Sequence, residues 1–569
     1  MMTFSDDPKL AEQQMHAVIF YLTTFGYIDG DFDQEEKAVV RDTIAKLVEA
    51  RAAAAMKDAD PKVRAEVTGK FTAHFHEVFE GIDRNVKELF TEAVSANENQ
   101  GDFVRTKLKV RCFEIFESFD RHGQEQLMAM IDDLIMADGQ VHPAEAQFRA
   151  ELAQLLEGDT GVELVEDDSD APRVSFREIQ APKVAADHPF FSPGEFHYSR
   201  DPARIQQQIG ADRALLDRAM ALWDAQRAAG KGKLAGKSTV AALAGQRPFL
   251  DGHVYVEPLV PGRRYELVVL GDLHGCYSVL KATLMQSRFF EKVDAFRKDP
   301  ANNPEPRLIL LGDYIDRGLF SMNGVLRLVL QLFVTAPEHV YMLRGNHEYY
   351  IEFKGNIYGG VKPAEAINTL KPHVDMDVFR HYQRLFEAMP NILLFDRFVF
   401  VHAGIPKDRT LKEKFTDLSS LNDPDIRFQM LWSDPSSADV IPLDLQDKSA
   451  RFAFGRMQFR AFMQRIGCHT LVRGHEKVND GFCCNYDDAN ARLFTLFSSG
   501  GSDNEDLPPD SSYRTVTPKA LTVTVTPEET TFAAWAPDYK TYNDPERNAF
   551  FRVAPEIEHR KDDPTLPRG

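Results

Sequence analysis

The sequence predicts a multidomain chain: an all-α N-terminal part followed by a larger part of the α+β / α/β kind. Three observations carry that expectation. Residues 9–156 keep the helical period. The next stretch turns acidic and is then punctuated by prolines. From Tyr265 onward short apolar runs alternate with helical stretches, the pattern of strands buried between helices. A length of 569 residues also exceeds one ordinary domain.

Composition narrows the classes. Hydrophobic residues make up 43% of the chain, enough for sizeable cores, and the formal charge is −20. That charge argues against sequence-independent nucleic-acid binding and against an anionic membrane surface. Met1–Leu10 lacks the apolar run of a signal peptide, and no segment is apolar enough to cross a bilayer. Five scattered cysteines fit a reducing compartment, so a cytoplasmic protein is expected.

In the helical part, assigned to residues 1–156, Val40, Ile44, Leu47 and Val48 follow the helical period after Asp33-Gln34-Glu35-Glu36, which sets acidic residues on a first turn. A weak repeat links Tyr27-Ile28-Asp29-Gly30-Asp31-Phe32 to Met136-Ala137-Asp138-Gly139-Gln140-Val141, each with a glutamate, Glu36 or Glu145, seven residues after the aspartate. The plainer reading is two similar helix-turn-helix corners; the functional one is a pair of acidic clusters for a divalent cation. An EF-hand does not fit, because the loop from Asp29 lacks glycine at its sixth position. The corners resemble those of the TerB-like helical domains of tellurite-resistance and stress systems. That resemblance implies a sensing or docking role, with a regulatory partner or ligand at this domain.

Residues 157–200 read as a linker, with seven acidic residues and no basic one from Glu157 to Ala171, then prolines at 172, 182, 189 and 193. The helical half is therefore expected to fold separately. Residues 201–254 read as a helical connector, with a helix over 203–229 whose stripe of Ile205, Ile209, Leu216, Met220 and Trp223 serves packing. Gly236-Lys237-Ser238 is not a phosphate loop, since Lys231 stands where glycine is required. Residues 536–569, charged and proline-containing, are expected to form a poorly packed tail.

Over residues 255–535 the buried-strand candidates are Leu267–Leu270, Leu308–Leu311, Val340–Leu343, Phe398–Val401, Thr470–Val472, Leu493–Phe497, Leu521–Val525 and Thr530–Trp535. The first five run into polar sets: Gly271-Asp272-Leu273-His274-Gly275, Gly312-Asp313-Tyr314-Ile315-Asp316-Arg317-Gly318, Arg344-Gly345-Asn346-His347-Glu348, His402-Ala403-Gly404 and Arg473-Gly474-His475. Ligands of α/β sheets gather beyond the carboxyl ends of strands, so these loops can converge on one site. Glycine beside each ligand lets the backbone turn sharply and leaves room. Aspartate oxygen, an asparagine carbonyl and neutral imidazole are donors for two hard-to-borderline cations. The cysteines lack the pairing of a structural zinc site.

In this order the motifs closely resemble those of the calcineurin-like metallophosphoesterases, and within them the PPP family of serine/threonine phosphatases. The family pattern GDxHG, GDxVDRG, GNHE, HGG and RAH stands here as GDLHG, GDYIDRG, GNHE, HAG and RGH. The likeness extends to Leu431-Trp432-Ser433-Asp434-Pro435, Phe452-Ala453-Phe454-Gly455 and Leu496-Phe497-Ser498, and covers residues 255–535. It implies two mixed β-sheets packed as a sandwich and flanked by helices. It also implies two divalent metal ions per chain, manganese foremost with iron or zinc as alternatives. One would be held by Asp272, His274 and Asp313, the other by Asp313, Asn346, His402 and His475. The implied reaction is hydrolysis of phosphoserine or phosphothreonine monoesters of a phosphorylated protein by a hydroxide bridging both metals. His347 would be the general acid, Asp316 would orient it, and Arg317 and Asn346 would bind phosphate. For Asp316 a purely structural role as a turn cap is the alternative.

The match departs in two places. Lys448 aligns with the family's second phosphate-binding arginine, and Arg451, three residues on, is the other candidate. The tyrosine that follows the family's LFSAPN stretch has no counterpart in Ser498-Ser499-Gly500-Gly501-Ser502, so the family's toxin sensitivity is not implied. Two other functions stay open: a hydrolase of dinucleoside polyphosphates or other small phosphoesters, and a stress-linked scaffold with a non-catalytic phosphoesterase domain.

Overall fold

The computed structural model describes residues 4, 7–28, 32–57, 60–89, 99–136, 148–150, 174–183 and 187–563. The chain forms two compact units, one of residues 1–163 with 436–456, the other of residues 164–435 with 457–569.

The helical unit contains α1 (Pro8–Gly26), α2 (Gln34–Ala55), α3 (Pro61–Leu89), α4 (Gln100–Glu117) and α5 (Arg121–Ile135). The acidic run before α2 starts it as a capping box: Asp33 accepts from the Glu36 amide at 2.8 Å, and Glu36 accepts from the Asp33 amide at 2.9 Å. Val40, Ile44, Leu47 and Val48 are buried, as their spacing predicts. Of the two Asp-Gly corners, residues 29–31 and 137–147, Glu145 among them, lie outside the described residues, and so does the acidic stretch from Glu157 to Ala171. Phe32 is buried, with ring centroids 5.1 Å from Tyr27 and 6.1 Å from Phe79.

This unit also takes in residues 436–456, which the contiguous assignment of 255–535 did not anticipate. Val110 and Phe113 of α4 form a small apolar cluster with Ala438, Ile441 and Leu445. The buried Glu114 carboxylate accepts from Ser436 Oγ at 2.5 Å and from the Ser437 amide at 3.3 Å. Partners 322 positions apart leave no local signature in a sequence.

The second unit holds two mixed β-sheets, as expected. Their strands, numbered along the chain, are β1 (Val174–Glu178), β2 (Phe249–Asp251), β3 (Val254–Glu257), β4 (Tyr265–Leu270), β5 (Glu305–Leu310), β6 (Val340–Met342), β7 (Ile392–Phe395), β8 (Phe398–Val401), β9 (Thr470–Arg473), β10 (Phe482–Asp488), β11 (Ala491–Leu496), β12 (Ala520–Val525) and β13 (Thr530–Trp535). One sheet has the order β1-β13-β12-β4-β5-β6, the other β10-β11-β9-β8-β7-β3-β2. β4, β5 and β6 are parallel, and so are β8, β9 and β11, so each set sends its carboxyl ends the same way.

Three segments differ from expectation. The connector does begin with a helix, α6 (Pro202–Gly230), which buries Ile205, Ile209, Leu216 and Trp223. It ends, however, in the β2–β3 hairpin, which turns at Gly252 with φ 59°. Part of the presumed linker is built into the unit: β1 pairs with β13, and Glu195 meets the fully buried Lys281 ammonium at 2.6 Å. A buried cation needs such a counter-charge. The tail is packed rather than loose through Asp563, because Tyr542, Phe550 and Ile557 join the main core. Among the described residues no helix is long and apolar enough to cross a membrane.

A buried ion pair joins the sheets. Glu257 of β3 accepts from Arg307 Nε of β5 at 2.9 Å and from the Tyr341 hydroxyl of β6 at 2.6 Å, and the Glu257 and Arg307 side chains are at most 3% exposed. Glu257→Leu should leave the guanidinium under-paired and destabilise this unit by about 3–5 kcal/mol, read as a lower denaturant midpoint for its unfolding.

Candidate active site

The strand ends deliver the predicted residues to one place. β4 runs into Asp272 and His274, β5 into Asp313 and Asp316, β6 into Asn346 and His347, β8 into His402, and β9 into His475. All eight are buried, none more than 8% exposed. Asp313 is central: its carboxylate oxygens stand 3.4 Å from His274 Nε2, 3.4 Å from His402 Nε2 and 3.9 Å from His347 Nε2. One ligand atom each from Asp272, Asp313 and His402 falls within 4.8 Å of the others, and the same holds for His274, Asp313 and His347. The His475 amide donates to Asp272 Oδ1 at 2.8 Å, and His475 Nδ1 lies 3.2 Å from His402 Nε2.

The backbone bends hard to achieve this. His274, Asp313, Asp316, Arg317 and His475 have φ between 41° and 70°, a region non-glycine residues seldom occupy. Gly474 leaves room that any other residue would fill, since a Cβ there would stand 2.2 Å from Asp272 Oδ1.

The donor set fits cations. His274 and His402 each turn Nδ1 to a backbone carbonyl, that of Ile315 at 2.9 Å and that of Leu311 at 3.1 Å. A carbonyl only accepts, so Nδ1 carries the proton and Nε2 presents a lone pair to the centre. Asn346 Oδ1 lies 2.9 Å from the His402 lone pair. Turned over, the amide would donate to His402 and Asp313; facing a cation, its oxygen is the useful end. Asp272 Oδ2 is buried and accepts no hydrogen bond. Burial, with the facing Asp272 carboxylate, raises the Asp313 carboxyl well above its usual range, and burial pushes the His402 imidazole down to about 4. Converging lone pairs around buried carboxylates are what divalent ions would satisfy.

Beside this cluster His347 Nδ1 meets Asp316 Oδ2 at 2.7 Å, and Asp316 Oδ1 accepts from the Ala366 amide at 2.8 Å. Burial, then the Arg317 guanidinium and His274, hold the His347 imidazole well below its ordinary value. Arg317 is not an open fork. Its Nη1 donates to the Glu365 oxygens at 3.0 and 2.9 Å and to the Pro363 carbonyl at 3.0 Å. Burial opposes charge on Arg317, and Glu365, Tyr513 and Asp316 together outweigh it. Lys448 and Arg451 fall on the 436–456 segment, which belongs to the helical unit, Lys448 exposed and Arg451 half-buried.

Sequence reasoning overlooked several members. Glu348 accepts from the amides of Asp313, Tyr314 and Gly345 at 2.8, 2.9 and 3.0 Å, and so staples the second loop to the third. Its place in Gly-Asn-His-Glu was the one local signal. Asp434 meets Arg473 at 2.7 Å and His475 Nε2 at 3.8 Å. Tyr513, well beyond Ser498–Ser502, brings its ring centroid within 5.4 Å of that of His274.

Residues 265–479, which contain all five loops, match the calcineurin-like phosphoesterase family. The chain carries a calcineurin-like phosphoesterase domain. The phosphoesterase domain has relatives among known proteins. A probable serine/threonine-protein phosphatase of Encephalitozoon cuniculi is 26% identical over 259 residues, 45% of this chain and 51% of the relative. The chain therefore spans about half the length of that curated relative. A serine/threonine phosphatase structure from Saccharomyces cerevisiae is similar over 58% of this chain and 90% of its own, with 18% identity and a TM-score of 0.36. A purple acid phosphatase from yellow lupin seeds is similar over 50% of this chain and 56% of its own, with 12% identity and a TM-score of 0.24.

The phosphoesterase domain is expected to retain about two divalent ions per chain on elemental analysis. Asp313→Asn, central to both ligand groups, should lose most of that metal, and Gly474→Ala should lower it while the circular dichroism of the folded chain persists.

Proposed function

We propose that the chain is a metal-dependent phosphoprotein phosphatase acting on phosphoserine and phosphothreonine monoesters. The observation that carries this reading is the His347–Asp316 pair at 2.7 Å, set beside the Asp272–Asp313–histidine cluster. Asp272, His274 and Asp313 would hold one cation, and Asp313, Asn346, His402 and His475 the other. Bound there, two divalent cations would supply Lewis acidity toward phosphoryl oxygens and lower the pKa of water. With three imidazoles in the set, manganese, iron or zinc suits it better than magnesium alone.

The rest is the work of the chain's own groups. Arg317 would bind phosphate oxygens with the part of its guanidinium that Glu365 leaves available, and the Asn346 side chain would add a further contact. His347 donates Nδ1–H to Asp316, which fixes the ring so that Nε2 faces the Asp313 side of the site, 3.9 Å from that carboxylate. Asp316 also supplies the counter-charge an imidazolium needs in a buried place. A serine alkoxide is a poor leaving group, so a proton delivered from Nε2 would matter most for protein substrates; the step needs the imidazolium, whose charge Asp316 would have to sustain against the burial that lowers the ring's pKa. The Encephalitozoon relative's description as a probable serine/threonine-protein phosphatase favours the same substrate class.

His347→Asn should lower turnover of a phosphoserine peptide by about 10²–10⁴-fold and of an aryl phosphate distinctly less, with metal retained. Asp316→Asn should show the same substrate dependence at smaller size. Equal losses on both substrates would defeat the general-acid role. Faster turnover of diadenosine tetraphosphate than of phosphopeptide by the unaltered chain would point to a small-molecule hydrolase instead.

A further inference from the structure

One short helix, Glu365–Leu370, serves both parts of the candidate chemistry. Its first residue supplies the carboxylate that receives Arg317. Its second supplies the amide that donates to Asp316, the carboxylate that holds His347. Six residues cannot hold a helix in place by themselves.

The C-terminal segment does so. Asn368 Nδ2 donates to the Lys561 carbonyl at 2.5 Å, and the Arg560 amide donates to Thr369 Oγ1 at 3.0 Å. Lys371, next after the helix, meets Asp563 at 2.9 Å in a pair only 11% and 14% exposed. Lys561 Nζ in turn reaches Asp510 at 2.6 Å. His559, whose Nε2 is buried and accepts or donates no hydrogen bond, feels the charges of Glu365 and Asp316. A cavity of about 380 Å³ runs between this segment, the helix and Gly318, next to Arg317.

We infer that residues 559–563 buttress the active site: by clamping the helix they position Asp316 and Arg317, with Glu365 as the positioning residue for the arginine. The inference rests on the phosphatase reading above, as a statement of what positions its residues. It joins residues 560, 561 and 563 to the candidate site through two contacts on the helix, at Asn368 and Thr369, and one just after it, at Lys371.

The test compares the metal-loaded full chain with a form ending at Glu558, with Lys371→Glu, with Lys371→Glu/Asp563→Lys, and with Glu365→Gln and Glu365→Asp. Truncation should lower kcat/KM on phosphoserine peptide about 10–100-fold through misplacement, with metal content and melting of the phosphoesterase unit little changed. Lys371→Glu should lose less, and the charge-swapped pair should recover it; this pair decides the matter if truncation unfolds the unit. Glu365→Gln should raise KM more than it lowers kcat and weaken binding of inorganic phosphate in titration calorimetry, and Glu365→Asp should recover part of both. Tighter phosphate binding in Glu365→Gln would mean that the carboxylate competes with phosphate for Arg317, which overturns the positioning role. Unchanged kcat and KM in a folded truncated form overturns the buttress. Absence of hydrolysis of any phosphate ester by the unaltered, metal-loaded chain would sink the phosphatase reading, and the phosphate titration would still decide the role of Glu365.

Discussion

Two carboxylates, Asp272 and Asp313, are buried together with ring nitrogens and amides facing them, and much of the phosphoesterase unit can be understood as the means of keeping them there. Like charges held out of water cost several kcal/mol each unless something compensates. Part of the compensation is backbone: the His475 amide donates to Asp272, and the His347 amide donates to Asp313 at 3.0 Å. Part is steric, because the loops approach closely only where glycine allows it. The remainder would fall to cations, toward which His274 and His402 keep Nε2 by spending Nδ1 on carbonyls. Beneath lie parallel strands that are almost wholly buried, their charged residues such as Arg307 paired, which gives the strained loops a packed floor.

The groups around that centre have a different origin. The metal-ligand candidates come from strand ends and are placed by sheet pairing. Asp316 and Arg317 come from the same second loop, yet each also has a partner on a separate short helix, the Ala366 amide and the Glu365 carboxylate. Glu348 ties the strand ends to one another, since its one carboxylate holds the backbone of both the second and third loops. Burial raises its pKa to about 7, against the pull of its three amide donors and of the nearby His274.

The site was legible in the sequence to the extent that it is local. His402 follows directly on Phe398–Val401, and Asp313 lies three residues after the last residue of β5, so apolar runs and the polar residues after them could be read together. Assignment of two ligand sets, by contrast, came from resemblance, because strand ends alone do not say which imidazole faces which carboxylate. What escaped notice was non-local or unpatterned. β1 has four of its five residues exposed, so no apolar alternation marks it as a strand. Glu365 is 48 positions from Arg317, and nothing near it announces a partner. The tail's charges suggested solvent, whereas Tyr542, Phe550 and Ile557, widely spaced, decide its packing. Residues 436–456 read as part of the phosphoesterase half and belong, by their contacts, with α4.

The left-handed backbone at His274, Asp313, Asp316, Arg317 and His475 has a consequence for how such a site can be moved. Each such conformation costs on the order of 1–3 kcal/mol and survives only where surroundings over-determine it. The letters GDLHG or GDYIDRG grafted onto a different scaffold would relax to ordinary dihedral angles, and the carboxylates and imidazoles would point elsewhere. What a transplant has to carry is therefore the pair of sheets whose ends force the turn, along with Glu348 that locks it. The motif is a record of that framework rather than a portable instruction.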